Sequence, residues 1–132
     1  MGKMIKRLIA LAISLISLAG CSSSSNESVA NVDVEAFLSH ISSGEVLVLD
    51  VRTPEEFNAG HLSGALNLDV QSGQFERELS QLDKAATYAI YCRSGRRSTI
   101  AAEKMANAGF TNIINFNQGG FAELAQAGAQ TE

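Results

Sequence analysis

Apolar positions along the chain recur with two periods, and the changes between them mark out the elements. Residues 8–19 run apolar apart from Ser14 and Ser17, directly after Lys3, Lys6 and Arg7. Residues 22–31, "SSSSNESVAN", are polar and low in complexity and read as a flexible tether. From Val32 onward, helix-period and strand-period segments alternate. "VDVEAFLSHIS" places apolar residues at 34, 37, 38 and 41, a helical spacing with Asp33 as N-cap. "EVLVLDV" is apolar and β-branched with no polar alternation, which predicts a strand covered on both faces. "TPEEF" predicts a helix start, with Thr53 as cap, Pro54 at the first helical position and Glu56 closing a capping box. "ALNLDV" predicts a short strand, and "QFERELSQL" a helix carrying Phe75, Leu79 and Leu82 on one face. "ATYAIYC" predicts a second buried strand. "STIAAEKMANAG" predicts a helix starting at Ser98 or Thr99 and ending at Gly109. "TNIINF" and "GGFAELAQAG" complete the series as a strand and a short helix. Strands alternating with helices imply an α/β domain with a mostly parallel sheet.

Length and charge narrow the picture. A chain of 132 residues is enough for one domain. The apolar run at 8–19 is shorter than the ~20 residues that span a bilayer, and with its basic flank it fits a secretory signal rather than a transmembrane anchor. It ends in Leu18-Ala19-Gly20-Cys21, which resembles the lipobox of bacterial lipoproteins. That resemblance implies a signal peptide at 1–20, a lipidated Cys21 and a tether through 31, with a folded domain at 32–132. It implies a bacterial cell envelope location, lipid-anchored, with the domain facing the periplasm or the cell exterior. Ser22 after the acylated cysteine, in place of Asp, favours the outer membrane by the same resemblance. Removing residues 1–20 takes away three basic and no acidic side chains, leaving 7 Lys and Arg against 14 Asp and Glu, a net charge of −7. So acidic a domain argues against nucleic acid and against electrostatic membrane docking. Nothing in the sequence calls for an oligomer.

With Cys21 acylated, Cys92 has no disulfide partner and is either inert or reactive. Its surroundings favour reactivity. "YCRSGRRST", residues 91–99, sets three arginines, a glycine and two hydroxyl residues about that one thiol. Cys92 falls just past the carboxyl end of a predicted central strand, where ligands bind in such sheets. A helix begins within a turn of Ser98, and helix N-termini and runs of backbone N–H groups stabilise anions. A cysteine so placed is expected to be a thiolate nucleophile, its pKa lowered by the helix terminus and the arginines.

The segments "LVLDVRTPEEFNAGHLSGALNL", "YCRSGRRS" and "GFTNIINFNQGG" together resemble the rhodanese (sulfurtransferase) family in order and spacing, over residues of about 32 to 126. The resemblance implies a rhodanese-like fold, its central sheet covered by helices on both faces. It makes Cys92 the catalytic cysteine and Arg93, Ser94, Gly95, Arg96 and Arg97, followed by Ser98, the loop that binds substrate. It maps the family's Asp-x-Arg pair to Asp50 and Arg52 and its Gly-His to Gly60 and His61. It implies transfer of a sulfane sulfur from an anionic donor such as thiosulfate to cyanide or a thiol through a Cys92 persulfide, with no cofactor. Many relatives carry a tryptophan after the paired glycines; this chain has Phe121 and no Trp.

Two other classes share features of the loop. Cysteine phosphatases place an arginine six positions after the cysteine, but position 98 here is serine, and the shorter loop suits a sulfur atom better than a phosphoryl group. Non-catalytic modules of the same fold commonly lose the cysteine, which is present here. Asp50 and Arg52, two apart at a strand end, share a face; they either orient the arginines of the loop or form an ion pair that fixes the strand–helix turn. His61 is read as structural and His40 as a surface residue. Two histidines so far apart give no metal-binding signature.

Overall fold

A computed structural model describes residues 27–132. Five strands form one parallel sheet: β1 (Val29–Val32), β2 (Leu47–Asp50), β3 (Leu66–Asn67), β4 (Thr87–Tyr91) and β5 (Asn112–Phe116), in the spatial order β1-β5-β4-β2-β3. Parallel neighbours need crossover connections, and these are helical: α1 (Val34–Ser42), α2 (Pro54–Ala59), α3 (Phe75–Leu79) and α4 (Arg96–Asn107), with α5 (Phe121–Gln126) following β5.

The two-residue period of β4 divides the core. Tyr88, Ile90 and Cys92 lie on the face shared with Phe75 and Leu79 of α3 and Ala101, Ala102 and Met105 of α4. Ala89 and Tyr91 lie on the other, with Phe37 of α1 and Leu124 of α5. The uninterrupted apolar run of β4 is thus explained by helices on both sides.

Local signals hold where the side chains reach the backbone. Asp33 Oδ1 accepts the Ala36 N–H at 2.8 Å. Thr53 and Glu56 form the full capping box around Pro54. Gly109 takes a left-handed φ of 100° just past α4.

Three boundaries move. Residues 29–31, read as tether, form most of β1, which pairs in register with β5 from Val29 against Ile113 to Val32 against Phe116. As an edge strand it leaves Ala30 and Asn31 exposed, so its composition reads as polar linker. α4 starts at Arg96, not at Ser98, because the Ser98 and Thr99 hydroxyls bond back to the Gly95 carbonyl instead of capping. α3 stops at Leu79, and Leu82 packs on the core from the turn beyond.

Candidate functional site

The loop begins where β4 leaves the sheet. Cys92 is fully buried, and the chain turns around its thiol so that the Gly95 N–H approaches Sγ at 3.0 Å. The turn needs glycine twice. Gly95 has a φ of 92°, and a Cβ there would overlap the Asn117 carbonyl. A Cβ on Gly120 would overlap the carbonyls of Arg93 and Cys92. The two loops interlock through the Phe121 N–H, which donates to the Cys92 carbonyl at 2.8 Å.

Burial pushes the Cys92 thiol up, but the N–H and hydroxyl of Ser98, with the N–H groups of Ser94 and Gly95, outweigh it and hold the thiol below its ordinary value. These donors belong to the loop and to the first turn of α4, and the Arg97 charge also acts on the thiol. Ser98 is itself fully buried, its hydroxyl 3.1 Å from both the Gly95 and Phe116 carbonyls.

The three arginines separate into two kinds. Arg97 donates in fork fashion to Glu56, Nη1 to Oε1 at 2.7 Å and Nη2 to Oε2 at 2.9 Å. The pairing with Arg97 lowers the Glu56 pKa to about 2. Its guanidinium therefore ties the loop to α2. Arg93 and Arg96 are exposed, and among the described residues no carboxylate pairs with either.

Asp50 and Arg52 are both buried and form a tight pair, with Arg52 Nη2 2.6 Å from Asp50 Oδ2 and Nε 2.9 Å from Oδ1. Arg52 Nη2 also donates to the Gly60 carbonyl at 2.7 Å. Asp50 accepts the Tyr91 hydroxyl at 2.7 Å, and that hydroxyl accepts the Leu62 N–H at 2.9 Å. Neither residue hydrogen-bonds an arginine of the loop. The pair lies at the strand–helix turn and also holds Tyr91, the residue before Cys92. His61 is structural as read, stacked on Phe57 with ring centroids 3.6 Å apart and Nδ1 2.9 Å from the Phe57 carbonyl. His40 is exposed on α1.

Two residues of the site were not singled out from the sequence. Glu56 was read only as a cap, and Tyr91 only as part of a buried strand. The signal for Tyr91 was its place directly before the lone thiol, since an apolar strand end rarely buries a phenol without a partner.

Among the described residues a single free cysteine, buried at the end of a central parallel strand with backbone N–H donors about its Sγ, marks an α/β domain with a candidate thiolate site. Residues 33–127 match the rhodanese-like domain, and the chain belongs to that family. It is 32% identical over 77 residues to the thiosulfate sulfurtransferase PspE of Escherichia coli, covering 58% of this chain and 72% of PspE. It is 32% identical over 101 residues to a sulfurtransferase of Allochromatium vinosum, covering 76% and 92%. A sulfur carrier candidate of Bacillus subtilis, YrkF, is 36% identical over 95 residues, 71% of this chain and 50% of its own length. Among solved structures, the rhodanese-like domain of an Anabaena protein superposes with a TM-score of 0.68 at 26% identity, over 77% of each chain. A human single-domain sulfurtransferase does so with a TM-score of 0.60 at 26% identity, over 73% of this chain and 95% of that one.

Proposed function

We propose that the protein is a sulfurtransferase that carries sulfane sulfur on Cys92. The observation that supports this most directly is the ring of donors around the thiol, with the Gly95 N–H at 3.0 Å from Sγ. In the first half-reaction the Cys92 thiolate attacks the outer sulfur of an anionic donor such as thiosulfate. A Cys92–S bond forms, the donor's S–S bond breaks, and its electron pair leaves with sulfite. The product, Cys92–S–S⁻, keeps its negative charge inside a cradle that already favours an anion. In the second half-reaction cyanide or a thiol attacks the outer sulfur, and the electron pair of the breaking bond returns to Cys92 as thiolate. Arg93 and Arg96 draw the anionic donor, while Arg97, held by Glu56, shapes the loop.

Intact-protein mass tests this reading. Thiosulfate should add one sulfur atom to the protein, cyanide should remove it as thiocyanate, and Cys92→Ser should show neither step. No gain with thiosulfate, polysulfide or an organic persulfide would refute it.

We also propose that acyl chains on Cys21 hold the domain at the cell envelope of a bacterium; the lipobox and signal segment lie outside the described residues. Wild type is expected in the membrane fraction, released by detergent but not by salt. Cys21→Ala should appear as a soluble protein or an unprocessed precursor. Wild type found wholly in the soluble fraction would end this proposal.

A further inference from the structure

Beside the loop lies a pocket of about 330 Å³, walled by Ala59, Gly60, Phe121 and Ala122, with Arg52, Glu56 and Arg93 along its polar side. At ~30 Å³ per molecule of liquid water it holds about ten waters. That is several times the space a small inorganic anion needs, and it falls at the low end of sites for organic ligands, ~300–1,000 Å³. The wall is apolar and partly flat. Phe121 packs so closely on Gly60 that a Cβ there would meet its ring at 3.4 Å. The Arg52 guanidinium lies 4.6 Å from the Phe121 ring centroid.

The charges sort themselves. Arg52 is neutralised by Asp50, and Glu56 by Arg97. Arg93 is left as the cation at this pocket with no carboxylate partner among the described residues. The pocket is also contiguous with the thiol loop. Arg93 follows Cys92 directly, and the Phe121 N–H holds the Cys92 carbonyl at 2.8 Å.

We infer that this pocket seats the body of the sulfur acceptor, an organic thiol with an apolar, best an aromatic, group and a carboxylate that pairs with Arg93. The inference rests on the sulfurtransferase reading above and specifies its acceptor. The acceptor thiolate, RS⁻, attacks the outer sulfur of the persulfide, Cys92–S–S⁻. The new S–S bond forms as the Cys92 S–S bond breaks, the electron pair of the broken bond returns to Cys92 as thiolate, and the product leaves as RS–S⁻.

Two measurements test the pocket, one independent of sulfur transfer. First, 4-methylbenzoate is titrated into the resting wild-type protein and followed by backbone NMR shifts. It should bind saturably with a Kd on the order of 1 mM, with the largest shifts at 59–60, 93 and 121–122. Second, persulfide-loaded protein is mixed with 4-mercaptobenzoate, 3-mercaptopropionate or cyanide. At equal thiolate concentration the aromatic acid should react about tenfold faster than the aliphatic one, as expected when an apolar pocket gains a ring. Ala122→Trp fills the pocket from an exposed position. It should abolish 4-methylbenzoate binding and reduce the ratio of the mercaptobenzoate rate to the cyanide rate about tenfold. Ala59→Trp should do the same from the opposite wall. Absence of saturable binding to wild type, or a rate ratio unmoved in both variants, overturns the inference. If no donor loads Cys92, the sulfurtransferase reading fails, and the benzoate titration still decides whether the pocket binds aromatic acids.

Discussion

The Tyr91 hydroxyl donates to Asp50 Oδ2 at 2.7 Å while accepting the Leu62 N–H at 2.9 Å. This one phenol joins the ends of β4 and β2 to the turn after α2, and the next residue in the chain is Cys92. Burial, with the bond to Asp50, pushes the Tyr91 pKa far above its ordinary value, so the group stays a neutral donor. Tyr91→Phe leaves the carboxylate of a fully buried Asp50 one donor short. Hydrogen bonds to charged groups contribute ~1.5–3 kcal/mol, and a loss in that range is expected in urea unfolding with an unchanged m-value. A loss below ~0.5 kcal/mol would mean that the bond to Asp50 is made equally well by water.

Glu56 gives the fold a defined acid sensitivity. Its folded-state pKa is depressed to about 2, chiefly by the Arg97 hydrogen bonds. A depressed carboxylate stabilises the fold above its unfolded pKa, and that contribution is lost as pH falls through the folded value. The window therefore runs from about pH 4.5 down to about pH 2. The Glu56 side chain is 28% exposed, so solvent screening reduces the contribution to about 1 kcal/mol. Glu56→Gln should lower Tm near neutral pH and narrow the gap between wild type and variant as pH falls to 3. A constant gap between pH 7 and pH 3 would show that the pair is not the source.

Ser98 should govern the acidity of Cys92 more than any arginine does. The rate of iodoacetamide alkylation against pH should show a midpoint below the ordinary ~8.5. Ser98→Ala removes a hydroxyl whose one proton, resting on the Gly95 and Phe116 carbonyls, can turn to the thiolate, and should raise that midpoint. Arg93→Ala and Arg96→Ala, at exposed positions, should move it less. The reverse order would make the cationic loop the main stabiliser of the thiolate.

Arg93 and Arg96 should act on the donor instead. Because both are exposed, each is expected to contribute ~0.5–1 kcal/mol toward an anion, a few-fold in the KM for thiosulfate. The effect should fade with added salt. The cyanide step, started from preformed persulfide, should change less. Identical kinetics in the double variant would make these arginines ordinary surface charge.

Much of this architecture was legible because its signals are local. Thr53, Pro54 and Glu56 announce α2 within four residues, and the unbroken apolar run of β4 announces a strand covered twice. The loop from Cys92 to Ser98 stood out by composition alone. What stayed hidden depends on partners far along the chain. Arg97 reads as a free cation until α2 brings Glu56, 41 residues away in sequence, against it. Tyr91 and Asp50 are likewise 41 residues apart. β1 was missed because four residues at a sheet edge, half of them exposed, carry no periodicity to detect. The start of α4 was displaced because Ser98, a good N-cap residue by type, spends its hydroxyl on carbonyls.

The course of β1 sets how the domain hangs from whatever precedes it. β1 runs parallel to every other strand, so the chain enters the fold at the amino-terminal rim of the sheet. Cys92 sits at the opposite rim, just past the end of β4. Strands of four or five residues at ~3.3 Å each set the two rims about 15 Å apart. The point at which the chain enters the sheet and the Cys92 thiol therefore occupy opposite rims, and whatever precedes β1 joins the domain on the side away from Cys92.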